Sequence, residues 1–156
     1  MTIKYFMVIL IIVSFWIEKP TFALNAVASI KKITGDVQIK RSTRVFPGRK
    51  GLILNDEDLV TTLSTGKVTL LFRDGSEIRL YENTKFIIEK STEVKGEKRG
   101  FFHNITLQIG SFWGKFVKGH QVTTIKTPTA TCGIKGTNVS FLEKNGKLDL
   151  SLSEGQ

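Results

Sequence analysis

Cysteine, histidine and proline are scarce in this chain of 156 residues, and each scarcity excludes a class of protein. A single cysteine, Cys132, excludes an internal disulfide framework and every metal site that needs several thiolates. The two histidines, His103 and His120, have no carboxylate nearby in the sequence, so we interpret each as a turn or surface residue. With three prolines and 40% hydrophobic residues, extensive disorder is excluded. The composition indicates one folded domain.

Acidic side chains are outnumbered, because 14 Asp and Glu stand against 23 Lys and Arg and leave a formal net charge of +9. Part of the excess is local, in one stretch of eleven residues that holds Lys40, Arg41, Arg44, Arg49 and Lys50. Such a stretch attracts anionic partners. We interpret these five residues as a candidate contact with anionic lipids, phosphorylated glycans or an acidic protein; the alternative is a solubilising surface.

Familiar catalytic and ligand-binding motifs are also missing from the sequence. It contains no phosphate-binding G-x-x-x-x-G-K-[ST] loop and no G-x-S-x-G nucleophile elbow. Asp56-Glu57-Asp58 does not have the spacing of a calcium loop, and we interpret it as a solvated turn. Gly133-Ile134-Lys135-Gly136 matches the G-x-x-G loop of nucleic-acid-binding modules without the flanking helices. We therefore expect no enzymatic activity, no cofactor, no metal ion and no nucleic-acid partner.

The longest apolar run has the features of an export signal. Residues 5–17 follow the cationic start Met1–Lys4, and a helix of this length rises about 20 Å, less than a hydrocarbon core of roughly 30 Å. We predict a signal peptide over residues 1–28, cleaved after Ala23 or Ala28, and a periplasmic or secreted domain over 29–156. The alternative is an uncleaved membrane anchor. We expect no cytosolic domain and, after cleavage, no integral membrane segment.

Alternation of apolar and polar residues dominates the chain after Ser29. It predicts strands at 36–41, 67–72, 77–81, 85–90, 101–108, 111–117, 121–126, 138–143 and 147–152. Asp74-Gly75 and Asn145-Gly146 favour hairpin turns, and residues 93–100 are interpreted as an exposed loop. The pattern predicts an all-β fold, a single compact domain of roughly 8 to 11 short strands arranged as a sandwich, a β-roll or a short β-solenoid.

From about Lys32 to Gly155, the order of several short motifs resembles that of a FecR domain. The motifs are Gly35-Asp36-Val37, Asp58-Leu59-Val60-Thr61-Thr62, Phe72-Arg73-Asp74-Gly75-Ser76, Leu107-Gln108-Ile109-Gly110, Thr127-Pro128-Thr129-Ala130 and Gly136-Thr137-Asn138-Val139-Ser140-Phe141. Glu57 departs from the family, which usually has glycine before the aspartate.

Each motif residue also has a physical interpretation. Pro128 suits the entry into an edge strand, Gly136 supplies a backbone conformation or a close approach, and the Thr137 hydroxyl is suited to bond a neighbouring backbone group. We expect the motif residues to determine the fold rather than to catalyse; they are Asp58, Asp74, Gly75, Pro128, Gly136 and Thr137.

The resemblance implies a bacterial signalling or interaction module without enzymatic activity. In transmembrane members of the family, a cytosolic segment contacts a sigma factor and the periplasmic part receives a signal from an outer-membrane, TonB-dependent transporter. We therefore predict an exported FecR-like domain that binds a protein or a component of the cell envelope. Two alternatives stay open. One is binding of envelope polyanions through a basic face. The other is a cell-wall polysaccharide hydrolase or lyase, which needs a cleft with two carboxylates about 5–10 Å apart, drawn from Asp56, Asp58, Glu77 and Glu82.

Overall fold

The computed structural model describes residues 26–94, 100–118 and 122–153. Within these ranges the backbone forms thirteen strands and no helix, and hence no helix that could span a membrane. The strands are β1 (Ala26–Thr34), β2 (Val37–Arg41), β3 (Arg44–Pro47), β4 (Ile53–Asn55), β5 (Leu59–Thr62), β6 (Lys67–Phe72), β7 (Glu77–Leu80), β8 (Lys85–Val94), β9 (Gly100–Lys115), β10 (Val122–Lys126), β11 (Thr131–Ile134), β12 (Asn138–Lys144) and β13 (Lys147–Ser153). The apolar run of the predicted signal peptide lies outside the described residues.

The sixteen-residue strand β9 belongs to two sheets at once. Its first half pairs with β8 and β10, and its second half pairs with β7 and β12. We call β4-β1-β6-β7-β9-β12-β13 sheet A and β3-β2-β5-β8-β9-β10-β11 sheet B. All pairs are antiparallel except β9 and β10, which run parallel. The sheet is continuous through β9.

Gly110 marks the bend in β9 where one sheet passes into the other. The sequence predicts two strands separated by this glycine; the structure shows one strand that bends there, with φ at +100°. A Cβ at Gly110 would lie 2.5 Å from the Cα of Thr84. The Thr84 hydroxyl bonds both the backbone N–H and the carbonyl of Ser111. The glycine therefore allows a close approach and a positive φ without ending the strand.

The inner faces of sheets A and B enclose one hydrophobic core. Phe86 of sheet B meets Phe112 edge to face, with ring centroids 5.8 Å apart, and Phe112 stacks on Phe141 at 4.9 Å. All three rings are fully buried, and burial of such a side chain contributes about 1.5–3 kcal/mol. The predicted all-β single domain is confirmed.

The two predicted hairpin turns differ in geometry. Asn145 and Gly146 both have positive φ, as a two-residue primed turn requires. At Asp74-Gly75 only the glycine has positive φ, at +88°. There the Gly75 N–H donates to Phe72 O, and the Phe72 N–H donates to Ser76 O. The hairpin at Asp74-Gly75 is therefore present, but its loop is longer than the predicted two-residue turn.

Candidate functional site

Arg41, one of the five basic residues predicted to contact anions, is bound inside the fold. Its Nε donates to Asp58 Oδ1 at 2.8 Å, and one terminal nitrogen donates to Asp58 Oδ2 at 2.6 Å and to Ile53 O at 2.9 Å. Asp58 is fully buried and also accepts the Asn55 N–H. The hydrogen bond to Asp58 raises the pKa of Arg41. This ion pair joins β2 to the turn between β4 and β5.

The other four basic residues are exposed but do not form one surface. Directly opposite residues of paired strands share a face of the sheet. The register therefore puts Arg44 on the face of Arg41 and Lys40 on the opposite face. Arg49 and Lys50 lie in the segment between β3 and β4. The structure thus divides the predicted group over two faces and a turn.

His103 is only 2% exposed, so the prediction of a turn or surface position is wrong. Its Nδ1 lies 2.8 Å from Ser91 Oγ, and its Nε2 lies 3.3 Å from Asp74 Oδ2. The Phe72 ring packs against the imidazole at a centroid distance of 4.9 Å. His103 alternates in phase with the buried Ile105 of the same strand, and this periodicity was the signal for its burial.

The Asp74 carboxylate accepts two hydrogen bonds from Ser76. Its Oδ1 accepts the Ser76 N–H and its Oδ2 accepts the Ser76 hydroxyl, both at 2.8 Å. The Ser76 hydroxyl in turn accepts the Val117 N–H at 3.2 Å. Burial raises the pKa of Asp74, but the adjacent His103 imidazole and the hydrogen bonds from Ser76 outweigh it and leave this pKa below its ordinary value. The cluster therefore contains an ionised, buried carboxylate.

A cleft of about 210 Å³ opens beside this cluster, lined by Asp56, Arg73, Ser91, Glu93, Phe101 and His103. Asp56 accepts the Ser91 N–H at 2.9 Å, and burial raises the pKa of Asp56. Serine, histidine and aspartate are the elements of a hydrolytic triad. Here they link β8, β9 and the β6–β7 turn, and both oxygens of Asp74 are occupied by Ser76. The contacts are those of a buried polar network that fixes three elements.

The carboxylates required by the polysaccharide-cleaving alternative each have their own partner in the fold. The pairs are Asp56 with Ser91, Asp58 with Arg41, Glu77 with Lys31 and Glu82 with Lys67. Within the described part of the chain, no group of three or more His, Cys, Asp or Glu side chains could hold a metal ion. The exposed surface of the sheets is therefore the better candidate for a binding site.

The edge strand β13 presents an apolar face at the margin of sheet A. Among the described residues, only β12 pairs with it. The register sets Leu150 opposite the buried Phe141, and Leu152 opposite the buried Val139, so these leucines lie on the core side of the sheet. Nevertheless Leu150 is 45% exposed and Leu152 is 65% exposed. Leu148, on the same side of the strand, is half-buried against the core, so we call Leu150 and Leu152 the leucine ledge.

The other three edges of the described sheets are shorter or blunted. β3 carries Arg44 and Pro47, β4 has three residues with Ile53 O bound to Arg41, and β11 has four. β13 has seven residues, of which Lys147 and Asp149 are charged. Short strands, proline and charge are the usual protection of a sheet edge. β13 is therefore the edge best suited to receive another strand.

The family model described as FecR protein matches residues 58–156. The chain belongs to the FecR family. This match supports a signalling-related domain. No curated protein and no solved structure gives a significant match. The strands β1–β4 precede the matched range, yet β1 pairs with β6 and β2 pairs with β5, and β4 and β3 extend the two sheets beyond them.

The FecR motif residues occupy positions that shape the backbone. Gly136 has φ +65°, and a Cβ there would lie 2.5 Å from the Cα of Lys118. The carbonyl of Thr137, rather than its hydroxyl, accepts the Phe116 N–H at 3.0 Å. Pro128 is exposed in the turn that leads into the edge strand β11, as the sequence predicts. These contacts support the expectation that the motif determines the fold.

Glu57 lies at the position where the resemblance to FecR domains led us to expect glycine. Its φ is +68°, in the left-handed region that side chains other than glycine rarely adopt. The Glu57 N–H donates to Ile88 O, and the next N–H, that of Asp58, donates to Asn55 O. The turn therefore keeps a glycine-type conformation with a glutamate in it, at a cost in stability.

Proposed function

We propose that this chain is an exported, non-enzymatic FecR domain, periplasmic or secreted, that binds a partner protein by accepting one of its strands at β13. The single observation that carries the proposal is the seven-residue edge of β13 with its exposed leucine ledge. Membership of a signalling family supports it, because a signalling domain acts through contact with other proteins. The partner would be a protein of the cell envelope.

The energetics of strand addition favour an extended apolar segment as the occupant. Leu150 and Leu152 together leave roughly one leucine side chain in water, and covering it contributes about 1.5–3 kcal/mol. Each backbone hydrogen bond made along the edge adds about 0.5–1.5 kcal/mol. Lys144 and Lys147 flank the hairpin turn at one end of β13. We therefore expect the partner segment to alternate apolar residues and to carry an acidic residue beside these lysines.

The start of β1 supports one of the two predicted cleavage sites. Val27 and Ala28 are buried, and Ala28 pairs with Leu54 and with Phe72. Cleavage after Ala28 would remove both core residues, whereas cleavage after Ala23 leaves β1 whole. We therefore propose that the mature chain begins at Leu24. Mass spectrometry of the protein from the envelope fraction tests this, and intact protein with Met1 in the cytosol would contradict export.

Photo-crosslinking tests the binding edge. A photoreactive amino acid replaces Ser151, which lies exposed between the two leucines, or Thr43 in the distant β2–β3 turn as a control. We expect an adduct of defined mass from position 151 and none from position 43. The adduct should disappear in Leu150→Ser/Leu152→Ser and persist in Leu142→Ser, which removes an equally exposed leucine from the opposite face. An adduct that survives the double substitution in folded protein would overturn the proposal.

A further inference from the structure

A second surface, on the outer face of sheet A, combines positive charge with hydroxyl groups and aromatic rings. We propose that it binds an acidic sugar, meaning a single sugar ring that carries a carboxylate or a phosphate. The inference is independent of the β13 edge, because it rests on β1, β6, β7 and β9. Nothing in the sequence places these residues together.

Cross-strand register builds the floor of the site. Lys32 of β1 lies opposite Thr69 of β6, Thr69 lies opposite Arg79 of β7, and Arg79 lies opposite Trp113 of β9. Neighbouring strands are about 4.8 Å apart, so the backbones of Lys32 and Arg79 are separated by roughly 10 Å. In the adjacent row, Thr34 of β1 lies opposite Lys67 of β6. Lys32 and Arg79 therefore lie on either side of Thr69.

An open cleft of about 300 Å³ lies over these strands, lined by Lys32, Thr34, Lys67, Val68, Thr69, Arg79 and Tyr81. Small-molecule pockets start near this volume. The size therefore suits one sugar ring better than a long chain. The two threonine hydroxyls and the Tyr81 phenol can exchange hydrogen bonds with sugar hydroxyls, and the tyrosine ring offers an apolar face.

The charge balance of the cleft favours an anion. Lys67 pairs with Glu82 at 2.8 Å, and Glu77 on the same face pairs with Lys31. Among the described residues, no ion pair engages Lys32 or Arg79. The lining thus holds three cations, of which one is neutralised by a carboxylate. A ligand without negative charge would leave this excess uncompensated.

Arg79 is held in an orientation suited to a carboxylate or phosphate. Its guanidinium carbon lies 5.7 Å from the centroid of the Trp113 ring. Packing against an aromatic ring restricts the planar group, and the fork of N–H donors can then bind two oxygens at once. Lysine cannot reproduce this geometry. The ion would therefore sit against Arg79, with the sugar ring extending over the threonines toward Tyr81.

Tryptophan fluorescence provides a direct binding assay. The chain contains two tryptophans, Trp16 and Trp113. Trp16 lies in the predicted signal peptide, so the exported protein, or the full chain with Trp16→Phe, reports through Trp113 alone. The probes are glucuronate, glucose 6-phosphate, glucose and inorganic phosphate. We expect saturable binding of an acidic sugar, at least ten-fold tighter than glucose or phosphate. The stronger of the two acidic sugars identifies the preferred ion. Equal affinity for glucose, or for phosphate alone, would overturn the proposal, as would absence of saturation with both acidic sugars.

Variants measured by calorimetry locate the binding. Arg79→Gln should weaken the acidic sugar at least ten-fold, and Arg79→Lys should weaken it less, because the charge remains and the fork is lost. Lys40→Gln removes an exposed charge from sheet B and should leave the affinity unchanged. Thermal unfolding confirms that each variant is folded. Equal losses in Arg79→Gln and Lys40→Gln would refute the site, because they would indicate a general charge effect.

Discussion

Two substitutions that break the Arg41–Asp58 pair are predicted to have unequal costs. The Asp58 side chain is 0% exposed, whereas the Arg41 side chain is 38% exposed. Arg41→Gln leaves the fully buried Asp58 side chain with the Asn55 N–H as its remaining donor. Removing one partner of a buried pair costs about 3–5 kcal/mol, and we expect this range here. Asp58→Asn leaves a guanidinium that can turn toward water, so we expect a smaller loss of about 1–3 kcal/mol.

Urea unfolding followed by Trp113 fluorescence measures both free energies. The double variant Arg41→Gln/Asp58→Asn should lose less than the two single losses added together, because it leaves no unpaired charge in the interior. As a control, Lys67→Gln breaks an ion pair that is exposed on both sides and should leave the urea midpoint unchanged. The reasoning is refuted if Asp58→Asn costs as much as Arg41→Gln, or if the double variant is additive.

Three further predictions concern local features of the backbone and the buried carboxylate. Glu57→Gly should stabilise the fold by about 0.5–1 kcal/mol in urea unfolding, since it relieves a positive φ; an unchanged midpoint would argue against strain there. Gly110→Ala should cost more than about 2 kcal/mol, because its Cβ meets the Thr84 backbone, whereas Gly133→Ala, with nearest contact at 4.0 Å, should change stability by less than about 0.5 kcal/mol. The lowered pKa of Asp74 means that its carboxylate stabilises the fold above its unfolded pKa of about 3.9, and that this contribution is lost as the pH falls through the folded value. Asp74→Asn should therefore lower the melting temperature at pH 7 and flatten its decline in acid; an unchanged acid profile would contradict this assignment.

Alternation predicted the strands in which apolar and polar residues follow a regular two-residue period. The expected strand at 67–72 is β6 with the same bounds, and the hairpin around Asn145-Gly146 is β12 with β13. β1 was missed because its register shifts between Ile30 and Lys32, and this irregularity breaks the two-residue period. β4, with three residues, is too short for any period to be recognised.

The candidate surfaces depend on information that local pattern does not hold. The alternation of β13 predicts a strand with a buried side, but the exposure of Leu152 depends on where sheet B ends. Likewise, Lys32, Lys67 and Arg79 come together through the spatial order of β1, β6 and β7, which no motif specifies. Asp58 is a residue whose burial, rather than its exposure, the local pattern does not show. The turn at this acidic run is as predicted, but Asp58 is fully buried, because Arg41 from the neighbouring strand β2, 17 residues earlier in the chain, neutralises it.

Because the two halves of β9 belong to sheets A and B, we expect that the two sheets do not separate or unfold independently. Separating the sheets would break hydrogen bonds on both sides of one continuous strand. We therefore expect the amides of both sheets to be protected from hydrogen exchange as a single cooperative unit. Such a block has no internal hinge along this seam. Binding at one face would therefore act by occupying that surface rather than by changing the conformation of the domain, which would serve as a rigid adaptor.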